Sequence, residues 1–472
     1  MNSKAKAFIR NFSYTLTSNL VSLLISTLVI LIVPKLIGVE EYGYWQLYLF
    51  YETYIVFSQF GWNEGVYLRY GGARYSNLDK ELFFSQFWML VFLQIVLALI
   101  IFLGASFFIR DIDRQFIFKM IALCMVVMGA RNMLGFILQA TNRIREYAII
   151  TIMARIIYCC LIIIFLVFEI REYKLMVVAD LIGRTISLLY AMYCCRDITF
   201  RNITTFYLSF KEAFKNISVG MKLMFSNIAS MMIIGGVRFG IERSWDVKTF
   251  GKISLSLSIS NLMMFFINAV GIMMFPILRR TDEKKLPNIY ITMRDILMII
   301  LFAALLLYYP LKFILLLWLP KYEESLKYMV LIFPMCIYEG KMALIVNSYL
   351  KTLRKEKVML KINIISFLLS IMITFITTFL IKSLNLAVLS IVILLAFRCG
   401  LAENFLSKTL KITIYKDMIL ELLMIFVFIL IGWIINSWFA ALVYMLAYII
   451  YFFIKRKDII NSIKEIKLLL KN

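Results

Sequence analysis

The sequence predicts an all-α polytopic membrane protein of about fourteen transmembrane helices, two six-helix lobes with two extra C-terminal helices. Three observations predict it. Of 472 residues, 62% are apolar or aromatic, with a mean hydropathy of +0.88; a soluble domain holds about 45–50%. The apolar residues form long continuous runs rather than the short alternating segments of an outer-membrane barrel. A bilayer span uses about 20 residues, so fourteen spans suit this length.

In order, the runs cover 12–34, 43–66, 82–108, 116–140, 148–168, 175–195, 216–238, 251–275, 293–317, 328–350, 360–381, 384–406, 417–435 and 438–454. The first follows Lys4, Lys6 and Arg10 but is too long for a signal h-region and lacks a small-residue cleavage site, so it is expected to be retained. Basic residues gather in alternate loops. Arg279, Arg280, Lys284, Lys285 and Arg294 form one cluster, and Lys351, Arg354, Lys355, Lys357 and Lys361 another. The positive-inside rule then puts both termini in the cytoplasm and loop 318–327 outside. Loop 239–250 dissents, since Arg238, Arg243, Lys248 and Lys252 lie there or at its flanks.

Composition excludes several chemistries. The chain has no histidine, which removes histidine general acid–base catalysis and histidine-ligated metal or haem. Cys124, Cys159, Cys160, Cys194, Cys195, Cys336 and Cys399 form no C-x-x-C pair and sit in apolar runs, as packing residues do. The net charge of +23 follows from basic loops and carries no aromatic–basic module for nucleic acid. The longest loop, 196–215, leaves no soluble domain to hold enzyme chemistry, and no Walker A motif marks ATP as the direct drive. A transporter is therefore expected rather than an enzyme, with no cofactor or metal.

An internal repeat gives the organisation. Ser18-Asn19 and Tyr42-Gly43 match Ser226-Asn227 and Phe250-Gly251 at an offset of 208, and Ser22 matches Ser230. Gly61 and Leu68-Arg69 match Gly271 and Leu278-Arg279 at 210; Thr141-Asn-Arg143 matches Thr352-Leu-Arg354 at 211. Each repeat holds six spans, so the two are parallel and related by a pseudo-two-fold axis along the membrane normal. The expected organisation is an N-lobe over 1–195, a cytoplasmic linker over 196–215, a C-lobe over 216–412, and spans 13 and 14 with a tail over 413–472. The end of that tail places Ile459, Ile463, Ile466 and Leu470 on one face with lysines opposite, a basic interfacial helix.

Polar groups inside the spans nominate a site. Asn11, Thr15, Ser18, Ser22 and Ser26 share one face of span 1, with Asn19 adjacent; Lys222, Ser226 and Ser230 share the matching face of span 7, with Asn227 adjacent. Such stripes serve close helix packing, or, when repeated, line a water-filled cavity. Charges cost more, about 2.5–3.5 kcal/mol each on insertion scales. Arg131, Arg184, Lys341 and Arg398 lie roughly 12–17 Å into their spans by helix rise, whereas Arg155 and Lys222 are shallower. Arg184 has Asp180 at i,i+4, and Glu339, Glu403 and Glu52 are further acids. Arg131 and Lys341, 210 apart, lack an acid at i±3 or i±4, so they are expected at equivalent places facing an anionic ligand. Asp180, Glu339 and Glu403 are the candidate acids for binding a driving ion.

Pro34-Lys-Leu-Ile-Gly38, Glu41-Tyr-Gly-Tyr-Trp-Gln-Leu47, Phe60-Gly61 and Leu68-Arg69 resemble the N-lobe of bacterial polysaccharide repeat-unit flippases of the Wzx type. Phe250-Gly-Lys-Ile-Ser-Leu255, Phe275-Pro276, Lys321-Tyr322 and Tyr349-Leu-Lys-Thr-Leu-Arg-Lys-Glu356 resemble their C-lobe. The resemblance implies the multidrug/oligosaccharidyl-lipid/polysaccharide exporter superfamily, and with it an inner-membrane flippase. Its implied substrate is an undecaprenyl-pyrophosphate-linked O-antigen or capsule repeat unit, moved by alternating access through a cationic lumen and driven by H+ or Na+. Implied partners are that lipid-linked glycan, membrane lipids, and polysaccharide polymerase and chain-length proteins. A lipid II flippase and a multidrug exporter share the fold; a membrane glycan polymerase or ligase is the more distant alternative.

Overall fold

A computed structural model of the chain describes the backbone of residues 3–280, 283–435 and 437–469, and the side chains within them except 3–12, 15–16, 265–266, 268–283, 463 and 465–469. All regular structure among the described residues is helical. Eleven helices there are long and apolar enough to cross a membrane, twelve with one bent pair. These twelve coincide with predicted spans. Of the other two, 251–275 falls on helix Val247–Arg280, whose side chains are only partly described, and 43–66 is broken into short pieces. The chain divides into two compact units, 1–228 and 229–472.

The first unit contains α1 (Ser3–Leu36), α2 (Val39–Glu52), α3 (Trp62–Tyr70), α4 (Lys80–Phe108), α5 (Ile112–Ala140), α6 (Ile144–Val167), α7 (Tyr173–Cys194), the short α8 (Arg196–Thr199) and the start of α9 (Phe210–Ser244). Asp79 and Asp111 start α4 and α5 by accepting backbone N–H groups of the first turn. A core of Trp62, Phe83, Phe87, Met133, Leu134 and Ile137 ties α3, α4 and α5 together. Predicted span 2 is not one helix. A 3-10 turn over Ile55–Gln59 follows α2, and Phe60 (φ 51°) and Gly61 (φ 78°) are both left-handed before α3 begins. Residues 196–215, expected as a linker, pack within this unit: Trp88 donates to the Thr199 carbonyl (3.2 Å) and Gln86 to that of Ser209 (3.1 Å).

The break in span 2 lets two backbones meet. A Cβ on Gly65 would stand 1.8 Å from the Asn216 carbonyl oxygen, and one on Gly220 1.9 Å from that of Gly61. Only glycine fits, as at close contacts between membrane helices. Arg69 straps the junction, with Nη1 2.6 Å from Asn216 Oδ1 and Nη2 2.7 Å from Glu212 Oε2.

The second unit holds the rest of α9, α10 (Val247–Arg280), α11 (Leu286–Leu305), α12 (Tyr308–Trp318), α13 (Glu323–Ile332), α14 (Met335–Lys341), α15 (Asn347–Thr352), α16 (Glu356–Thr374), α17 (Leu384–Leu410), α18 (Tyr415–Ile434) and α19 (Phe439–Leu469). The span containing α13 and α14 bends by 43° where Pro334 removes a backbone donor. A π turn over Met342–Val346 joins α14 to α15, and another over Phe375–Leu380 follows α16.

An ion network knits this unit. Arg294 on α11 lies 2.9 Å from Glu403 on α17 and 2.7 Å from Glu421 on α18; Lys341 on α14 lies 2.6 and 2.5 Å from the same two acids. All four are at least 97% buried. Two cations thus balance two carboxylates. Lys455 on α19 extends the network to Asp295 and Asp417, each at 2.9 Å. Spans 13 and 14 are therefore bound to the unit by charge as well as by apolar packing.

The same turn closes a helix in both units. After α5, Thr141, Asn142 and Arg143 donate to Ile137, Gln139 and Leu138; after α15, Leu353, Arg354 and Lys355 donate to Tyr349, Lys351 and Leu350. Asn142 (φ 62°) and Arg354 (φ 54°) are both left-handed. These pairs differ by 354 − 142 = 212, not 211. The π turn adds one residue, so the offset upstream of it becomes 211. That aligns Lys341 with Ala130, one residue or about 100° around the helix from Arg131. The expected equivalence of Arg131 and Lys341 is corrected accordingly, and Lys341 is not a cavity cation but the centre of a paired network.

Two predictions follow from this packing. Gly65→Ala or Gly220→Ala should destabilise by about 1–3 kcal/mol or more, because backbone must move. Gly104→Ala, with nothing within 4 Å of its new methyl, should be neutral or slightly stabilising; thermal-shift melts of the three variants check this. Lys341→Met should lose about 3–5 kcal/mol by stranding two carboxylates, seen as lost monodisperse protein in gel filtration. Adding Glu421→Gln to it should recover part of that loss.

Candidate substrate cavity

The first unit encloses a cavity of about 540 Å³ between α2, α3, α5, α6 and α7. Arg131 enters from α5, Arg155 from α6, and Arg184 and Asp180 from α7; Glu52 and Glu64 enter from the broken span 2. Asn132, Gln139, Tyr147 and Thr151 supply uncharged polar atoms.

The three arginines differ in how they are held. Arg184 is committed: its Nε lies 2.6 Å from Asp180 Oδ2 and its Nη1 2.7 Å from Glu52 Oε1. Tyr48 donates to the same Asp180 oxygen at 2.9 Å. Arg131 has no carboxylate partner among the described residues. Its Nε donates to Ser187 Oγ at 2.8 Å, and Ser187 donates onward to the Ile150 carbonyl at 2.7 Å. That relay fixes the guanidinium while its Nη groups meet no oxygen acceptor. Arg155 is exposed and likewise forms no ion pair among the described residues. The cavity therefore offers two cations able to receive an anion, Arg131 and Arg155, both of them candidates from the sequence.

Glu64 is the acid that sequence reasoning passed over. It is 7% exposed, lines the cavity, and its Oε2 has no hydrogen-bond partner. Its position inside a predicted span was the available signal. Arg294 was assigned to a loop, and Glu421, although inside predicted span 13, was not singled out.

The remaining candidates fall elsewhere. Arg398 pairs with Glu339 (3.1 Å), and its Nε donates to Asn363 Oδ1 at 3.0 Å. Each acid nominated for ion coupling, Asp180, Glu339 and Glu403, is thus already bonded to a cation. Lys222 is exposed on α9. In the stripe of α1, Ser18 is buried on the face of Ile25, Val29 and Val33, Asn19 is exposed, Ser22 is half-buried, and the Thr15 side chain lies outside the described residues. On α9, Ser226 is buried, Asn227 exposed and Ser230 half-buried. None of those whose side chains are described lines the first unit's cavity. Among the described residues no group of three or more acids or cysteines is arranged to hold a metal ion.

Comparison with known proteins gives the context. The profile of a family described as polysaccharide biosynthesis protein matches residues 32–327. No curated protein matches the chain. Among solved structures, the lipid II flippase MurJ in an inward closed conformation is similar with a TM-score of 0.66 and 15% identity, covering 96% of this chain and 100% of that one. An inward-facing multidrug resistance MATE family transporter of the MOP superfamily is similar at 0.62 and 13%, covering 83% and 99%. A MATE transporter in the straight conformation is similar at 0.57 and 12%, covering 86% and 96%. Identities this low speak for the fold alone. With more than half of its length matched by the family profile, the chain is a multi-span membrane protein of the polysaccharide biosynthesis family, with a fold like those of MurJ and the MATE transporters.

Proposed function

We propose that this protein is a flippase for lipid-linked oligosaccharides. It moves undecaprenyl-pyrophosphate-linked repeat units of O-antigen or capsule from the inner to the outer leaflet of the bacterial cytoplasmic membrane by alternating access. The observation that carries the reading is Arg131, a cation held in place by Ser187, without an ion-pair partner among the described residues, at the wall of a cavity. A pyrophosphate brings the missing negative charge, and charge-assisted bonds to guanidinium offset its desolvation. Arg155 adds a second cation, and Asn132, Gln139 and Tyr147 can hydrogen-bond sugar hydroxyls. Family membership supports a substrate from polysaccharide biosynthesis.

The MurJ-like fold across nearly the whole chain keeps a lipid II flippase as the second reading. Both readings use a pyrophosphate, so only the glycan separates them. A multidrug exporter fits less well, because Arg131 and Arg155, which form no ion pair among the described residues, repel cationic drugs. On this reading 1–195 and 216–412 are the two lobes of the alternating-access cycle, both termini are cytoplasmic, and polymerase and chain-length proteins receive the product. The driving ion is H+ or Na+. Glu64, unlike Asp180, Glu339 and Glu403, forms no ion pair among the described residues and has a buried carboxyl oxygen without a hydrogen-bond partner, so it is the better candidate to bind that ion.

Reconstituted vesicles with defined lipid-linked glycans, scored by leaflet exposure, test the reading. Arg131→Ala should lower flipping per folded molecule by at least tenfold with near-normal membrane protein level, and Arg131→Lys should keep part of it, because charge survives and the fork does not. Unchanged flipping by Arg131→Ala would defeat the cavity reading. Equal transport of lipid II would favour the second reading. Glu64→Gln should weaken dependence on an imposed ion gradient while leaving glycan binding intact. A reporter fused after Lys327 should behave as extracytoplasmic.

A further inference from the structure

A second, smaller cavity lies in the second unit, at the ends of α12 and α18 and the start of α19. Its volume is about 160 Å³, and Tyr308, Tyr309, Lys312, Phe313 and Trp438 line it with Gly432. A liquid water occupies about 30 Å³, so the space takes several waters or one tetrahedral anion.

Its polar atoms are unusual for their depth. Tyr308 is 1% exposed and Tyr309 7%, yet neither phenol hydroxyl has a hydrogen-bond partner. Buried hydroxyls nearly always find one. The rings cannot turn away to seek one. Tyr308 packs on Tyr309, Phe333 and Phe428 with centroids 5.2–5.7 Å apart, and Tyr309 packs on Phe428 and Tyr444. Lys312, one turn on from Tyr308, carries its ammonium 5.9 Å from that ring. Two fixed O–H donors and a cation thus share a cavity whose lining, among the described residues, holds no carboxylate.

The surroundings identify the depth. Trp318, Trp433 and Trp438 are exposed at this same end of the helices. Exposed tryptophans on a bilayer protein mark the headgroup level. Phe313 and Trp438, 5.3 Å apart, form an apolar wall open on the outside, suited to an acyl chain beside the cavity.

We propose that this cavity binds a phosphate-bearing group, with Tyr308 and Tyr309 donating to phosphate oxygens and Lys312 neutralising them. A membrane phospholipid is the source that the tryptophan belt favours; free phosphate shares the chemistry. This site is separate from the first unit's cavity and does not depend on which glycan the protein moves.

Native mass spectrometry of the purified full chain tests the proposal. Phosphatidylglycerol and diacylglycerol of matched chains are titrated in parallel, with inorganic phosphate as competitor. The wild type should retain one phosphatidylglycerol at least tenfold more tightly than diacylglycerol. The Tyr308→Phe/Tyr309→Phe variant keeps both rings and should lose that preference. Displacement by inorganic phosphate would support the phosphate site with a soluble occupant. A preference undiminished in the double variant would overturn the proposal and leave the phenols to water. If the double variant fails to fold, Lys312→Met must lose the preference, and its retention would overturn the proposal equally.

Discussion

A charge carried into a bilayer on a helix has few options. It meets an opposite charge, reaches water, or destabilises the span that carries it. The second unit takes the first option with Arg294, Lys341, Glu403 and Glu421, which are bonded to one another and buried from all sides. The first unit takes a mixed course. Arg184 is neutralised by Asp180 and Glu52, whereas Arg131 beside it is supported only by a serine and opens onto a cavity. Pairing in one place and its absence in the other decide which cations hold the structure and which remain free for a ligand.

Fold class, most spans and the intramembrane cations were legible in the sequence, because bilayer thickness imposes long apolar runs and makes every charge conspicuous. What escaped depended on register. Two turns of identical hydrogen bonding fix the repeat at 212 near Asn142 and Arg354, yet matching residue letters suggested 210 or 211. One residue is about 100° of helix, enough to turn Lys341 away from the place where Arg131 stands. Partners were illegible for a related reason. Glu403 and Glu421 meet Lys341 from sequence positions far from i±4, so local inspection gave Lys341 no acid.

Predicted span 2 shows how a hydropathy run can hide a break. Residues 43–66 are apolar enough to read as one helix, but Phe60 and Gly61 adopt left-handed backbone and Gly65 and Gly220 bring two chains into contact. The break sets α3 against the start of α9, where Arg69 holds Glu212 and Asn216, and it carries Glu52 and Glu64 to the cavity on separate pieces. An unbroken helix would fix the angle between those two acids by helical geometry alone.

The π turn at Met342–Val346 also has a genetic consequence. A π turn is an α-helix with one surplus residue, so loss of a single codon there would be absorbed without breaking the helix. The segments on either side would keep their faces, because the surplus residue sits in the widened turn and not in the α-helical register. Lys341 would stay aligned with Ala130 and opposite Glu403 and Glu421. One in-frame deletion at this turn is therefore a change that the span can take with its ion network in place.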